Sequence, residues 1–384
     1  MNTLRCIAAA ILLAAPAGIS SPAIAQIAAD RDACISSGNN ASADAAIAAC
    51  TRLVDALARS EISGQEGAAA LVARGNLYAV RGEVDRAIAD YNRAIALDPT
   101  RAVAFFNRAG AFAASGEPER AQADYDRAIA LDPMDTDAFV GRARLAIARQ
   151  DYNQAQADFD RAIAIDSRNA DAWVGRGDLN SVRRDFDGAV AAYGEALRLD
   201  PMSHGAFLGR GRALYRKREF AAAIPDYDAA IRIAPDDLQA MAERGDTYEQ
   251  LGQYERAAED YSKLIAIAPE NARAWNNRCW DRALSGQLEE ALADCNEALR
   301  LAPGDAGTFD SRGFVYLKLG RFAQAIADYN AALERDPLES SSLYGRGLAR
   351  LRSQDPEGGR ADVAAAKAID PGIAAEFARY GLSE

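Results

Sequence analysis

Histidine is nearly absent from this chain of 384 residues, which contains only His204. Nucleophilic catalysis usually needs a base beside the nucleophile, and His204 stands alone next to Ser203. The "GRG" stretch at residues 209–211 falls inside a predicted helix and not in a phosphate-binding loop. Carboxylates are plentiful, but they are spread over predicted helix surfaces, and no acid/base pair stands out. We therefore predict that the protein is not an enzyme and uses no cofactor.

Long apolar segments are also missing after residue 25, so the sequence offers no helix of the roughly 20 apolar residues that span a membrane. The first 25 residues differ from the rest. Arg5 precedes an apolar run that ends at Ile19, and Ala23 and Ala25 form a small-x-small cleavage site. We interpret residues 1–25 as a signal peptide cut after Ala25. The mature protein is then periplasmic or secreted.

Positive charge is scarce as well. The chain has 44 basic and 56 acidic residues, which gives a net charge of −12. An acidic surface repels phosphate groups, so nucleic acid and anionic lipid are disfavoured as partners.

Proline recurs every 34 residues along most of the chain. It occupies residues 99, 133, 201, 235, 269, 303, 337 and 371, with Ser167 at the one vacant point of this lattice. Counting each repeat from 31 residues before its proline gives nine repeats over residues 68–371. Position 4 of each repeat is large and apolar, position 8 is small in most, position 20 is usually alanine, and position 24 is usually aromatic. Helical spacing places positions 4 and 8 on one buried face.

This pattern resembles the tetratricopeptide repeat, whose positions 4, 8, 20, 24 and 32 carry the same residue types. The resemblance implies an all-α, right-handed superhelical solenoid of antiparallel helix pairs, in which the first helices line a concave groove. Residues 26–67 are interpreted as a degenerate capping repeat followed by an insert, and residues 372–384 as a capping helix and tail. The family typically receives a peptide or a partner protein in the groove.

The groove should be lined by positions 2, 5, 9, 12 and 13 of the first helices. The candidate partner-binding residues are Arg144, Asp178, Arg212, Tyr215, Arg216, Asp246, Glu249, Trp280 and Phe314. Exposed aromatic and arginine side chains often anchor interfaces, although Trp280 has the alternative role of packing between neighbouring first helices. Some relatives clamp a partner's C-terminal carboxylate. Here Asn76 and Asn107 match the clamp, but its basic positions do not.

Arginine occupies position 7 in all nine repeats, and aspartate occupies position 23 in eight. Position 7 borders the buried face, so each guanidinium needs an acceptor. This regularity predicts an ion pair between helices, either within a repeat or between neighbours. A row of arginines binding an anion is the alternative.

Four cysteines form two pairs, and the members of each pair are 16 residues apart: Cys34 with Cys50 and Cys279 with Cys295. Each pair occupies positions 8 and 24, which face each other across a helix pair. In an exported chain this predicts two disulfides, with buried free thiols as the alternative. A zinc site is not expected, because His204 is alone and the two pairs lie far apart along the chain.

The sequence therefore favours a non-catalytic scaffold that holds a protein or peptide in its groove. The alternative is a structural envelope component that associates with itself through its outer surface. The sequence leaves the oligomeric state open.

Overall fold

The computed structural model describes residues 21–35 and 43–384, and within them the regular structure is helical, without strands. The helices of this part of the chain are α1 Ser21–Ile35, α2 Ala43–Ala58, α3 Gly64–Val80, α4 Val84–Leu97, α5 Ala102–Ala114, α6 Pro118–Leu131, α7 Thr136–Ala148, α8 Tyr152–Ile165, α9 Ala170–Val182, α10 Phe186–Leu199, α11 His204–Arg216, α12 Phe220–Ile233, α13 Leu238–Gln250, α14 Tyr254–Ile267, α15 Ala272–Leu284, α16 Leu288–Leu301, α17 Ala306–Lys318, α18 Phe322–Leu333, α19 Ser340–Leu351, α20 Pro356–Ile369 and α21 Ile373–Arg379. None of them is both long and apolar enough to cross a membrane.

The chain divides into two compact units. Of the described residues, one unit comprises 21–35, 43–184 and 198–200, and the other comprises 185–197 and 201–384. Within each unit, successive helices pack as antiparallel pairs, so the predicted all-α repeat fold is confirmed. Residues 1–20 of the predicted signal peptide lie outside the described residues.

Short connections between helices are fixed by residues at constant repeat positions. Most first helices begin at a side chain that accepts a backbone hydrogen bond, as Asn169 does from Ala172 and Asp305 from Thr308. Most end just before a residue with positive φ, at repeat position 15. Glycine fills it in five repeats, but Arg218 adopts a φ of 64° there.

The aromatic residue at position 24 is enclosed from two sides. Tyr329 is fully buried, and a β-carbon built on either Gly313 or Gly345 would overlap its ring. Gly313 is position 8 of the same repeat, and Gly345 is position 6 of the next. Phe159 and Gly175 repeat this contact in the other compact unit. Small residues therefore let the aromatic ring of one repeat pack directly against the backbone of the first helix of the next repeat. This contact sets the spacing between repeats.

The first helix of the first repeat is longer at its N-terminus than the other first helices. Helix α3 begins at Gly64, four residues before the expected start at Ala68. Ser63 caps it by accepting from the N–H of Glu66, while the Glu66 carboxylate accepts from the N–H of Ser63. This reciprocal capping box extends the helix into the predicted insert.

Candidate functional site

The arginines of position 7 form bidentate ion pairs with the aspartates of position 23 in the same repeat. In these eight pairs the Nε and Nη2 groups donate to the two carboxylate oxygens over 2.6 to 2.9 Å. The pairs are Arg74–Asp90, Arg108–Asp124, Arg142–Asp158, Arg210–Asp226, Arg244–Asp260, Arg278–Asp294, Arg312–Asp328 and Arg346–Asp362. Each aspartate is at most 7% exposed. The predicted ion pair is confirmed, and it lies within the repeat.

The third donor of these arginines usually links neighbouring repeats. Nη1 of Arg142 donates to Asp126 over 2.7 Å, and Nη1 of Arg312 donates to Asn296 over 2.8 Å. Both acceptors are at position 25 of the preceding repeat. Arg176 has Ala192 at its own position 23, and it pairs with Asp160 of the preceding repeat over 2.9 Å. Because these donors are used internally, the arginines join helices and are not arranged as an anion site.

Both predicted cysteine pairs lie at disulfide distance. The sulfur atoms are 2.09 Å apart for Cys34 and Cys50, and 1.95 Å apart for Cys279 and Cys295. Cys279 and Cys295 are fully buried, where other repeats place a small residue and an aromatic. The described residues contain no group of three potential ligand side chains suited to a metal ion.

Two candidate groove residues belong to the first compact unit. Arg144 lies on α7 with its guanidinium 4.0 Å from the Asp171 carboxylate, and Asp178 is exposed on α9. A pair at this distance and exposure contributes little to stability.

Three candidates lie on α11. Arg212 is committed to an internal contact, because its Nε lies 2.8 Å from both carboxylate oxygens of Glu243. Tyr215 is partly exposed, and its ring packs edge-on against Phe220 with the centroids 5.2 Å apart. Arg216 is exposed and makes no ion pair with the described residues. Tyr215 and Arg216 therefore present the accessible groups of this helix.

Asp246 and Glu249 on α13 surround the hydroxyl of Tyr261. That hydroxyl makes a short hydrogen bond to Asp246, lies 3.2 Å from Glu249 Oε1 and accepts from Asn277 over 3.0 Å. Burial, followed by the charge of Asp246, raises the pKa of Glu249 to about 7. The site therefore holds acidic groups with few hydrogen-bond donors.

A third acid adjoins this site, and the prediction missed it. Asp281 on α15 is fully buried, and neither oxygen of its carboxyl group has a hydrogen-bond partner. Burial, then the charges of Glu249 and Asp246, raise the pKa of Asp281 well above its usual range. Asp281 occupies position 10, which we did not count as groove-lining. A signal was present, because Asp281 is the one acidic residue at this position in the nine repeats.

The expectation that Phe314 is an exposed groove residue is wrong. Phe314 is 1% exposed, because Phe377 and Tyr380 of the C-terminal segment cover it, with ring centroids at 6.0 and 5.8 Å. Trp280 packs on Phe314 at 4.8 Å and on Tyr380 at 5.6 Å, and stays partly exposed. Packing between first helices, the alternative role for Trp280, is thus present in the structure.

The rest of the C-terminal segment is also held by first helices. Arg352 donates to the backbone carbonyl of Ser383 over 2.5 Å, and the Tyr344 hydroxyl donates to Glu384 over 3.3 Å. Leu382 is 5% exposed. Residues 373–384 therefore occupy the predicted groove surface of α15, α17 and α19.

Comparison with known proteins identifies the repeat. A family described as "Tetratricopeptide repeat" matches residues 106–152, 140–180, 182–237, 243–306 and 312–372, and one described as "TPR repeat" matches residues 75–116. No curated protein matches the chain significantly.

Solved structures also resemble the chain. A tetratricopeptide repeat protein from Parabacteroides merdae is 19% identical over 66% of this chain and 98% of its own, with a TM-score of 0.50. YrrB, described as a TPR protein with an unusual peptide-binding site, is 24% identical over 48% of this chain and 95% of its own, with a TM-score of 0.39. PilW, a type IV pilus biogenesis factor, is 21% identical over 54% and 96%, with a TM-score of 0.46. At these identities the likeness concerns the fold alone.

Proposed function

The chain belongs to the tetratricopeptide repeat family, and from this premise we propose that it is a non-catalytic scaffold that holds a segment of a partner protein on its first helices. The family fold supports a role in protein–protein interaction.

One observation carries this proposal: the first helices α15, α17 and α19 already hold a polypeptide segment. Residues 373–384 contact them through two aromatic rings, a backbone carbonyl and a carboxylate. Such a combination of apolar anchors and backbone contacts is how grooves recognise extended or helical peptides. A surface that accommodates one segment of this chemistry is suited to accommodate another.

The free part of this surface lies on α11 and α13, with which residues 373–384 make no ring or hydrogen-bond contact in the described part of the chain. Here Tyr215, Asp246 and Glu249 are partly exposed, and Arg216 is exposed. An aromatic ring and an unpaired arginine are the side-chain types that most often anchor interfaces. We place the partner's main contacts there.

We further propose that the scaffold works in the periplasm or outside the cell. The signal-like residues 1–25 support this, as do the two buried cysteine pairs at disulfide distance, since disulfides persist in oxidising compartments. The net charge of −12 favours a protein partner over nucleic acid.

Affinity capture from an envelope fraction, followed by mass spectrometry, tests the proposal. The mature wild-type protein should recover a partner that Arg216→Glu and Tyr215→Ala lose. The control is Arg232→Glu, which reverses the charge of an exposed arginine on the second helix α12 and should leave capture unchanged. Circular dichroism should show that all variants keep their helix content.

Two outcomes would contradict the proposal. Equal capture by wild type and both groove variants would remove the first helices from the interaction. Recovery of the protein with nothing but further copies of itself would favour the alternative role, a self-associating envelope component.

A further inference from the structure

Three carboxyl groups gather on neighbouring first helices of the sixth and seventh repeats. Asp246 and Glu249 lie on α13 and are partly exposed, while Asp281 on α15 is fully buried behind them. The Tyr261 hydroxyl contacts Asp246 and Glu249 on α13 and accepts from Asn277 on α15, one helical turn before Asp281, which brings the three groups close together. Like charges this close repel one another, so the group is incomplete without a positive charge or bound protons.

Few hydrogen bonds compensate these carboxyl groups. The Tyr261 hydroxyl has one proton, and it makes its shorter contact to Asp246. The 3.2 Å contact between Tyr261 and Glu249 is then favourable only when Glu249 itself carries a proton. Neither oxygen of Asp281 has a partner. A buried polar group without a partner destabilises the folded state, so its retention needs an explanation.

The repeat fold does not require these acids. Position 10 holds an apolar residue or threonine in the other eight repeats, and position 12, where Glu249 lies, holds no other acid. In the fourth repeat, Leu179 fills position 10, and its apolar side chain is fully buried. Glu249 and Asp281 therefore occupy positions that the other repeats fill without an acid.

The surroundings favour an organic cation over a metal ion. The described part of the chain has no group of three side chains spaced to coordinate a metal. Tyr215 lies on the adjacent helix α11, where its hydroxyl experiences the charges of Asp246 and Glu249. An aromatic face beside carboxylates is a favourable site for a guanidinium or ammonium group, which gains both ion pairing and cation–π attraction.

The chain's own cations leave this group unpaired. Arg273 is close enough for its charge to act on Glu249, and Arg379 acts on the nearby Tyr254. Neither arginine makes a hydrogen bond or ion pair with Asp246, Glu249 or Asp281 in the described residues. A cation that replaces the protons on this group therefore has to come from another molecule.

We propose that Asp246, Glu249 and Asp281, together with the ring of Tyr215, bind a cationic side chain of the partner, arginine or lysine. This inference rests on the proposed function and specifies which partner segment the groove accepts: a segment with a basic residue. Asp246 and Glu249 contact the cation from the groove side, and the buried carboxyl group of Asp281 lies behind them.

Binding should be linked to proton release. Glu249 must lose its proton to receive the cation, so affinity should rise with pH through the region near 7. The titratable and charged groups that face Glu249 are Asp246, Asp281, Tyr215, Tyr254, Tyr261 and Arg273. Raised pKa values keep the three tyrosines neutral between pH 6 and 8, so carboxyl groups dominate the change.

The test uses a capped amino acid and requires no partner. N-acetyl-arginine N-methylamide is titrated into protein carrying carbon-13 in its Asp and Glu carboxyl groups. We expect a saturable shift of the Glu249 carboxyl signal, with affinity several-fold higher at pH 8 than at pH 6. The capped citrulline, a neutral isostere, should produce no shift. Glu249→Gln should weaken binding of the arginine probe about tenfold, as measured from the shift of the Asp246 carboxyl signal.

The control variant is Glu259→Gln, which removes an exposed acid from the second helix α14 and should bind as wild type does. Equal shifts from the arginine and citrulline probes, or no shift in wild type, would overturn the proposal. A shift that appears only in Arg379→Gln would also overturn it, because the chain's own tail would then fill the site. Capture of a partner in an envelope fraction is measured separately, so the scaffold role can survive a failed titration.

Discussion

Replacing Asp226 by alanine tests whether the arginine–aspartate pairs hold the repeats together. Asp226 is 3% exposed and accepts from Nε and Nη2 of Arg210 over 2.8 and 2.7 Å. Among the described residues Arg210 has no second acceptor, since position 25 of the preceding repeat is Gly194. The variant thus leaves one guanidinium without a partner.

The expected loss follows from the burial of that guanidinium. Breaking a fully buried pair by removing one partner costs about 3 to 5 kcal/mol. The Arg210 side chain is 29% exposed, so water recovers part of its solvation. We therefore expect Asp226→Ala to lower the free energy of unfolding by about 2 to 3 kcal/mol. Asp187→Ala breaks the exposed pair between Asp187 and Lys217. The Asp187 side chain is 85% exposed, so the change should cost about 0.5 kcal/mol or less.

Hydrogen exchange measured by mass spectrometry is the suitable assay, because repeat proteins open locally as well as globally. The opening free energy of α11 and α12 should fall in Asp226→Ala and stay unchanged in Asp187→Ala. The double variant Arg210→Met, Asp226→Leu should regain most of the loss, since two apolar side chains of similar size leave no orphaned charge. A loss below 1 kcal/mol, or a double variant as unstable as the sum of its single changes, would refute the reasoning.

Three further changes test the packing, the acid group and the cysteines. Gly345→Ala should lower the unfolding temperature, at a cost of about 1 to 3 kcal/mol, because the new methyl group overlaps the enclosed ring of Tyr329. Gly307→Ala lies near the start of α17, where the new methyl group meets only Asp305 Oδ2 at an ordinary contact distance of 3.6 Å, and it should be neutral or slightly stabilising. The reverse order of stability would contradict the packing. Asp281→Asn should become more stable relative to wild type as pH rises from 5 to 7, by about 1.4 kcal/mol per pH unit. The reason is that folded wild type keeps a proton on Asp281 that the unfolded chain releases. Urea unfolding measured across this pH range would exclude a raised pKa of Asp281 if the stability difference did not change with pH. The double variant Cys279→Ala, Cys295→Ala should lower the free energy of unfolding by about 3 kcal/mol on the chain-entropy estimate. A reductant should destabilise the wild type more than this variant. Equal destabilisation of the two proteins by the reductant would exclude the disulfide.

The repeat fold was predictable because every copy must place the same residue types at the same positions for neighbouring helices to pack. An arginine at position 7 and an aspartate at position 23 recur together, so the ion pair followed from the pattern. The sequence left open whether the pair joins one repeat or two. The structure shows why both readings were reasonable: Arg142 reaches Asp158 in its own repeat and Asp126 in the preceding one.

The site was predicted less completely, because two of its features do not follow the period. Phe377 and Tyr380 lie after the last proline, and nothing in a 34-residue pattern tells where a short final helix will pack. Their contacts with Phe314 bury a side chain that its repeat position had marked as exposed. Asp281 was overlooked because position 10 is a core position elsewhere. A core position does not exclude a carboxyl group that remains protonated.

Nine copies of one repeat in a single chain serve as controls for one another, and this separates structure from function. A residue type found in nearly every copy, such as the arginine of position 7, is explained by the packing that all copies share. A residue type found once must be explained by what is unique to its copy. Packing explains Cys279 and Cys295, since they take the places of a small residue and an aromatic residue and their sulfur atoms lie at bonding distance. Asp281 has no such account: it gains no hydrogen bond and replaces a side chain that packs well in the other repeats. Its cost to the folded state is therefore the strongest reason to look for a ligand at this point of the groove.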